Sequence, residues 1–595
     1  MGSAISMQTK TSLLSQGKQF ILLIIIFTLI DVAGPIIFNI EQGGSIKHIF
    51  SILCFSTFFA SILISIIALF GKYCHTIFAI LSTLYTLFSY ANLLYHRSFN
   101  MYFPIRMIFE FQQLNGLWNS IFALIRWYDF IYICLCILIF VYIHYSRSNF
   151  NYKNHIPICL LCVIATYTPV WFITNRVLHW DSIQTCKKEF SYTCRNNPVT
   201  CYIGFGLFPI IAYQLQNAMP QTISLTEFEN TEIDQIIKKN RQLVCDSSDK
   251  SQKRLNIVII LMESLNTACI SLDIMPTLYK LSQNNTTLFC PNINQLTQAA
   301  ASIGGQFVVT TGLSGLRQSV FVTDYPHNQY PSIVKELSVI DNNIYSFTIV
   351  STHRHFWRQS TVCESIGMID LFDQNKDMKP TSQNVNALGW VDDKIIFEVA
   401  ANKIPLTQRS FCALIVPSNM HVPYTFDSNI RCDISFPNIE DDILREYMRR
   451  ARYADEQLTS FIQALKDKGL YDDTLIVVTS DHQVPSAYCS DAMRKYLSPY
   501  IPAIFINTGA DWTEQNERNK DVVFCHSQVY PTMLQLMGLR PEKYAGLFPP
   551  MTNIEATQEY DFANCAYETT TDERLKRIYD LEELIIRSSY FGTIK

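Results

Sequence analysis

Two clusters of metal-capable side chains close apolar runs of the chain. Val258-Ile-Ile-Leu-Met ends in Glu263-Ser264, and Leu475-Ile-Val-Val-Thr-Ser ends in Asp481-His482. Two carboxylates and an imidazole suit a hard or borderline divalent cation. A cation held there would activate a hydroxyl and neutralise charge on a transferring group. The plain alternative makes Glu263 a helix cap and Asp481-His482 a turn, and neither motif alone decides between the two.

The elements that would position these residues are legible as texture. Short apolar runs at 256–262, 344–350, 411–416, 474–479 and 503–507 read as buried strands, and 441–468 reads as a long helix. Alternating β and α implies an α/β domain with a mostly parallel sheet covered on both faces. Functional groups of such sheets gather beyond the carboxyl ends of the strands. Glu263 and Asp481 stand at two such ends.

The 595 residues exceed one domain, and only 16% are charged, against about 25% in an ordinary soluble protein. The apolar excess lies in the first third. Five stretches, 20–40, 50–70, 75–94, 128–145 and 156–173, meet the length of about 20 residues that a bilayer core requires. The first is too long, and too closely followed by others, to be a cleavable signal. Lys10 and Lys18 precede the first span, and Arg147 and Lys153 lie between the fourth and fifth, which marks those segments as cytoplasmic. Arg97, Arg106 and Arg126 in the third loop blunt that signal. An odd number of spans carries everything after about residue 180 to the far side.

Residues 97–127 mix apolar and polar side chains as interfacial amphipathic helices do. Asp31 lies within the first span beside Gly34-Pro35, either lining a lipid path or serving the helix end. The expected organisation is a transmembrane domain over 1–180, an extracytoplasmic connector over 181–254 and a catalytic domain over 255–595. Among the 18 cysteines, Cys186, Cys194 and Cys201 cluster as short-loop disulfides do. A net charge of -4 with no Lys/Arg run excludes nucleic acid as a partner.

From about Asn256 to Leu539 the chain resembles the sulfatase-like branch of the alkaline phosphatase superfamily. Within it, the similarity is to the membrane-bound phosphoglycerol transferases and lipoteichoic acid synthases, which also begin with five transmembrane helices. Met262-Glu263-Ser264 matches that family's strand-end "ES", and Ser480-Asp481-His482 its "(S/G)DH". The resemblance makes Glu263, Asp481 and His482 ligands of one divalent ion, Mn2+ or Zn2+ with Mg2+ a third option.

Where the family carries a nucleophilic threonine at a helix start, this chain has Ala301-Ser302-Ile303-Gly304-Gly305. Ser302 therefore takes the nucleophile's place and joins the metal ligands, with Thr297, Thr310 and Thr311 in reserve. As a plain structural residue, Ser302 is a helix cap. Pro417-Ser-Asn-Met-His421-Val-Pro resembles the family's "T-H-x-P" segment, whose histidine contacts the substrate phosphate and protonates a leaving oxygen. Ser351-Thr-His353-Arg-His355-Phe-Trp357-Arg358 resembles the head-group pocket, which makes His353, Trp357 and Arg358 substrate-binding residues. His526 is a remnant of a second metal site or a structural residue.

The resemblance implies a covalent route. Ser302 attacks the phosphorus of a phospholipid head group and expels diacylglycerol. The phosphoryl group then passes to an extracytoplasmic glycan or lipid-linked acceptor. The enzyme expected is a multi-pass phosphoglycerol transferase of a bacterial cytoplasmic membrane, its catalytic domain on the periplasmic or extracellular side. Phosphatidylglycerol is the expected donor, and the bilayer itself is a partner. A phosphoethanolamine transferase acting on lipid A is the nearest alternative, disfavoured by "ESL" and "SIGG" where that family shows "GET" and "TST". A silent sulfatase-like binding or sensor module is the alternative of another class. The absence of a C/S-x-P-x-R motif after Glu263 excludes a formylglycine sulfatase.

Overall fold

The computed structural model describes the chain except for residues 1, 100–101, 106, 109–116, 146–151, 181, 217–221, 249–254, 296–300, 318, 377, 406–408, 568 and 594–595. The chain forms two compact units, Met1–Phe109 with Leu124–Ala218, and Glu110–Ala123 with Met219–Lys595.

The first unit holds five helices long and apolar enough to cross a membrane: Gly17–Glu41, Ile46–Ala68, Gly71–Phe99, Trp127–Tyr145 and Pro157–Val177. They coincide with the five apolar stretches of the sequence. Ile21, Leu84 and Phe140 stand exposed on their outer faces, as side chains meant for a hydrocarbon solvent do. Polar groups turn inward. Asp31 is buried, and its carboxylate accepts from the Tyr85 hydroxyl and, at 2.9 Å, from the Phe208 amide at the start of the Leu207–Gln216 helix. It serves the protein interior.

Arg97, which blurred the charge signal of the loops, is also buried. Its guanidinium donates to Asp129 at 2.6 and 2.8 Å, to Glu41 at 2.6 and 3.1 Å and to the Leu124 carbonyl at 2.9 Å. A charge neutralised inside the protein carries no weight in a count of loop charges. Arg106 and Arg147 lie outside the described residues.

The stretch 181–254, expected as one connector, divides between the units. Helices Ile183–Asn196, Pro198–Phe205 and Leu207–Gln216 pack with the membrane helices, whereas Glu227–Ser248 belongs to the second unit. Of the amphipathic segment expected over 97–127, a short helix Trp118–Ala123 also belongs to the second unit. Met101, Phe109, Glu110, Gln112 and Gln113 lie outside the described residues.

The second unit is built on an eight-stranded sheet: β1 Asn256–Met262, β2 Leu288–Asn294, β3 Tyr345–Val350, β4 Asp370–Phe372, β5 Phe411–Val416, β6 Thr474–Ser480, β7 Ile501–Ile506 and β8 Phe524–Cys525. Their order is β4-β3-β5-β1-β6-β7-β2-β8. All neighbours run parallel except β7, which is antiparallel to both β6 and β2. The central strands β5, β1 and β6 are buried along almost their whole length, as parallel strands inside a covered sheet are. In the β1–β6 ladder Met262 pairs with Ser480. The next residue on each strand, Glu263 and Asp481, therefore emerges beside the other at the carboxyl edge.

Candidate active site

The strand register makes the site. Glu263, Asp481 and His482 each offer a ligand atom within 4.8 Å of the others, all three buried, and they are the one such group of three or more among the described residues. Asp481 Oδ1 accepts the backbone amides of Ser264 at 2.9 Å and of His482 at 2.8 Å, which locks the carboxylate across the two strand ends. Asp481 Oδ2 is buried without a hydrogen-bond partner among the described residues, and His482 Nε2 stands 3.5 Å from it. His482 donates through Nδ1 to the Gln483 carbonyl at 2.8 Å, since a carbonyl can only accept. Nε2 is thereby aimed at the carboxylates, as in a metal-ligating histidine held by its second nitrogen.

The three charges of the cluster shift one another. Burial would raise the Glu263 carboxyl, but His421 and His482 outweigh it and hold that carboxyl well below its usual range. Burial and the Glu263 charge push Asp481 up to about 7. Burial would lower His482, yet Asp481 and Glu263 drive it up to about 10. Without a metal, a proton on His482 takes the cation's place between two carboxylates. An orphaned carboxylate oxygen, a pre-aimed imidazole and a second carboxylate fit one divalent cation.

Ser302 joins this cluster. Its Oγ lies 3.1 Å from Glu263 Oε2 and 3.3 Å from His482 Nε2. The close approach depends on Gly305, one turn on in the Ala301–Thr311 helix, where a Cβ would collide with the backbone of Asp481. The reserve threonines fall away: Thr310 and Thr311 are buried and donate to the helix carbonyls of Gln306 and Phe307 at 2.7 Å. Thr297 lies outside the described residues.

His421 faces the same cluster closely enough for its charge to couple to Glu263. Its Nδ1 lies 2.6 Å from the Val422 carbonyl, and its ring meets Trp390 edge-on at 4.7 Å. Burial lowers its basicity. The loop carrying it is pinned from two sides. Asp393 accepts from the amides of Ser418 at 2.8 Å and Asn419 at 3.1 Å, and Arg450 donates to the His421 carbonyl at 2.8 Å.

The predicted head-group residues sit on the loop after β3. His353 and Trp357 both pack near Phe356, with centroids 6.1 Å away in each case, and Phe356 meets Trp390 at 5.5 Å. An aromatic wall thus runs from His353 to His421. Trp357 and Arg358 both hold left-handed backbone at φ 49, a conformation that costs non-glycine residues energy. Trp390, Arg450 and Asp393 escaped the sequence reading. His526 is buried with both ring nitrogens unpartnered among the described residues and is not in the metal-ligand group.

Residues 255–539 match the Sulfatase family, and residues 4–216 match the Lipoteichoic acid synthase N-terminal domain. Lipoteichoic acid synthase of Staphylococcus saprophyticus is 25% identical over 520 residues, which cover 83% of this chain and 78% of that protein. The corresponding protein of Staphylococcus aureus strain USA300 is 25% identical over 483 residues, covering 78% and 72%. Among solved structures, the lipooligosaccharide phosphoethanolamine transferase of Neisseria meningitidis shares the fold, with a TM-score of 0.54 at 13% identity over 89% of this chain and 96% of that one.

Proposed function

Because the chain belongs to the membrane-bound sulfatase-like family that joins a lipoteichoic acid synthase N-terminal domain to a sulfatase domain, we propose that it moves a phosphoglycerol head group. The donor is phosphatidylglycerol, the acceptor an extracytoplasmic glycan or lipid-linked polymer, and the product left in the bilayer is diacylglycerol. The observation that carries this reading is Ser302 Oγ, held 3.1 Å from Glu263 and 3.3 Å from His482 beside the unpartnered oxygen of Asp481.

Glu263, Asp481, His482 and Ser302 would hold one divalent ion, with Mn2+ and Zn2+ the first to test and Mg2+ the third. Bound there, such an ion lowers the pKa of a ligating hydroxyl and neutralises charge on phosphoryl oxygens. The remaining steps belong to the side chains. Ser302, its hydroxyl proton released to solvent, bonds through Oγ to phosphorus, the bond to the diacylglycerol oxygen breaks, and His421, entering the step protonated on both ring nitrogens, gives that oxygen its Nε2 proton. His421 then takes a proton from the acceptor hydroxyl as it attacks the phosphoryl group on Ser302. His353, Trp357 and Arg358 contribute the head-group pocket. Tethering this chemistry to membrane-spanning helices keeps the enzyme at the surface where its donor is anchored, on the extracytoplasmic face of a bacterial cytoplasmic membrane.

The test uses the full-length protein with labelled phosphatidylglycerol or phosphatidylethanolamine and follows diacylglycerol release. Wild type consumes phosphatidylglycerol, Ser302→Ala does not, and intact mass shows the head-group adduct on Ser302. Consumption of phosphatidylethanolamine alone replaces the head-group assignment, and a fully active Ser302→Ala removes the nucleophile.

A further inference from the structure

The Trp118–Ala123 helix stands in the segment between the third and fourth membrane-spanning helices, yet it packs within the catalytic unit. Three hydrogen bonds hold it there. The buried Ser120 hydroxyl donates to the Val422 carbonyl at 2.9 Å, the Tyr488 hydroxyl donates to the Ser120 carbonyl at 3.2 Å, and the Asn119 amide donates to the Ala387 carbonyl at 3.2 Å. Trp118 and Phe122 point away, their exposed rings paired at 6.3 Å.

The acceptor of Ser120 matters most. The Val422 carbonyl is the oxygen that lies 2.6 Å from His421 Nδ1. A carbonyl oxygen has two lone pairs and no proton to give. In this arrangement one lone pair takes the Ser120 O–H and the other takes the His421 Nδ1–H. That contact fixes the tautomer, with the proton on Nδ1, and leaves Nε2 to face reacting oxygens. It also fixes where the ring points, because the carbonyl that orients the ring is itself oriented from outside the loop. Arg450 secures the neighbouring carbonyls, donating to His421 O at 2.8 Å and Thr425 O at 2.6 Å, but it leaves Val422 O to Ser120.

We propose that Ser120 is a positioning residue for His421, so that a helix supplied by the loop between two membrane-spanning segments sets the orientation of the imidazole in the active site. This rests on the role given to His421 above. It assigns that loop a part in proton transfer, and it names a residue 302 positions from Val422 in the chain as one of the site's supports.

The test uses full-length protein in detergent and two independent readouts. In diacylglycerol release, Ser120→Ala lowers kcat by about ten- to a hundredfold with KM little changed, the scale of a small misplacement of a catalytic group. Ser120→Thr, which keeps the hydroxyl, restores it. In a His421→Ala background, Ser120→Ala brings no further loss, as two residues acting through one another require. In hydrogen exchange, Ser120→Ala raises exchange locally at residues 418–424, while Ser120→Thr does not. Equal losses from Ser120→Ala with and without His421 overturn the proposal, and so does an unchanged exchange pattern at 418–424. A local exchange change in a protein that turns over neither phospholipid supports the brace and overturns the function assigned to His421.

Discussion

In each unit of this protein a basic side chain stands between two carboxylates, and the two clusters are resolved in opposite ways. In the membrane unit, Arg97 fills the space between Glu41 and Asp129 with five donated hydrogen bonds of 2.6 to 3.1 Å and a further one to the Leu124 carbonyl. In the catalytic unit, His482 sits between Glu263 and Asp481 with contacts of 3.1 and 3.5 Å, and one Asp481 oxygen is left without a hydrogen-bond partner among the described residues. The first cluster is closed and carries the cost of burial itself. The second is open, and its unspent acceptor capacity is what a metal ion and a phosphoryl group would use. Buried charge alone is thus a poor marker of function; a buried carboxylate oxygen without a hydrogen-bond partner beside a pre-aimed imidazole is the better one.

The strongest way to break this contrast is to neutralise one charge in each cluster. Asp481→Asn keeps an oxygen for the amides of Ser264 and His482 but removes the ligand charge. It should cut turnover by about 10³-fold or more, while raising the unfolding midpoint of chelator-treated protein at pH 8, because a carboxyl held up at about 7 by burial and Glu263 is ionised there at a cost. Arg97→Met should do the reverse for stability. It strands the buried carboxylate of Asp129 beside the half-buried one of Glu41 and costs about 3–5 kcal/mol, read from thermal unfolding in detergent. An Asp481→Asn protein that is less stable than wild type under chelation would mean the catalytic cluster is also a closed structural one.

A second contrast is in pH. In metal-free protein the folded pKa of His482, about 10, lies above its ordinary 6.5, and that of Asp481, about 7, above its ordinary 3.8. Groups raised by folding stabilise fully below their unfolded values and lose that contribution as pH rises through the folded ones. Chelated protein should therefore lose stability from about pH 4 to 10, Asp481 contributing to the loss up to about pH 7 and His482 from about pH 6.5. With excess Mn2+ the trend should invert, because protons compete with the metal for His482 and Asp481 and that competition fades as pH rises. Parallel curves with and without metal would show that no cation binds these residues.

How much of this was legible beforehand depended on sequence distance. The strands β1, β5 and β6 are uninterrupted apolar runs, and the ladder between β1 and β6 brings two separately visible motifs together. Strand β2 was invisible because Pro291, Asn292 and Asn294 break its apolar run, and its register shifts between Cys290 and Ile293. The antiparallel setting of β7 had no local signal at all. Ser302 emerged from family resemblance; locally it is a helix-start serine like many others, and only the fit of Gly305 against Asp481 sets it apart. The pairing of Arg97 with partners 56 and 32 residues away turned an apparent loop charge into a core one. The supports of His421, from Asp393, Arg450 and Ser120, are tertiary contacts between unrelated stretches, which periodicity does not report.

The smallest effect expected is the most discriminating about the head-group loop. Arg358 holds φ 49, where a side chain is strained and glycine is not. If the backbone is held there to aim the guanidinium at a phosphate, stability and affinity should move in opposite directions on substitution. Arg358→Gly should leave the unfolding midpoint unchanged or raise it by up to about 1 kcal/mol in stability, while raising the KM for phospholipid about tenfold through loss of a charge-assisted contact. Arg358→Asn, which tolerates the left-handed region, should share the KM effect with a smaller gain in stability. A protein that loses stability on both substitutions while keeping its KM would make Arg358 a structural ion-pair partner. The open character of the catalytic unit would then end at the metal cluster instead of extending along the aromatic wall to His353.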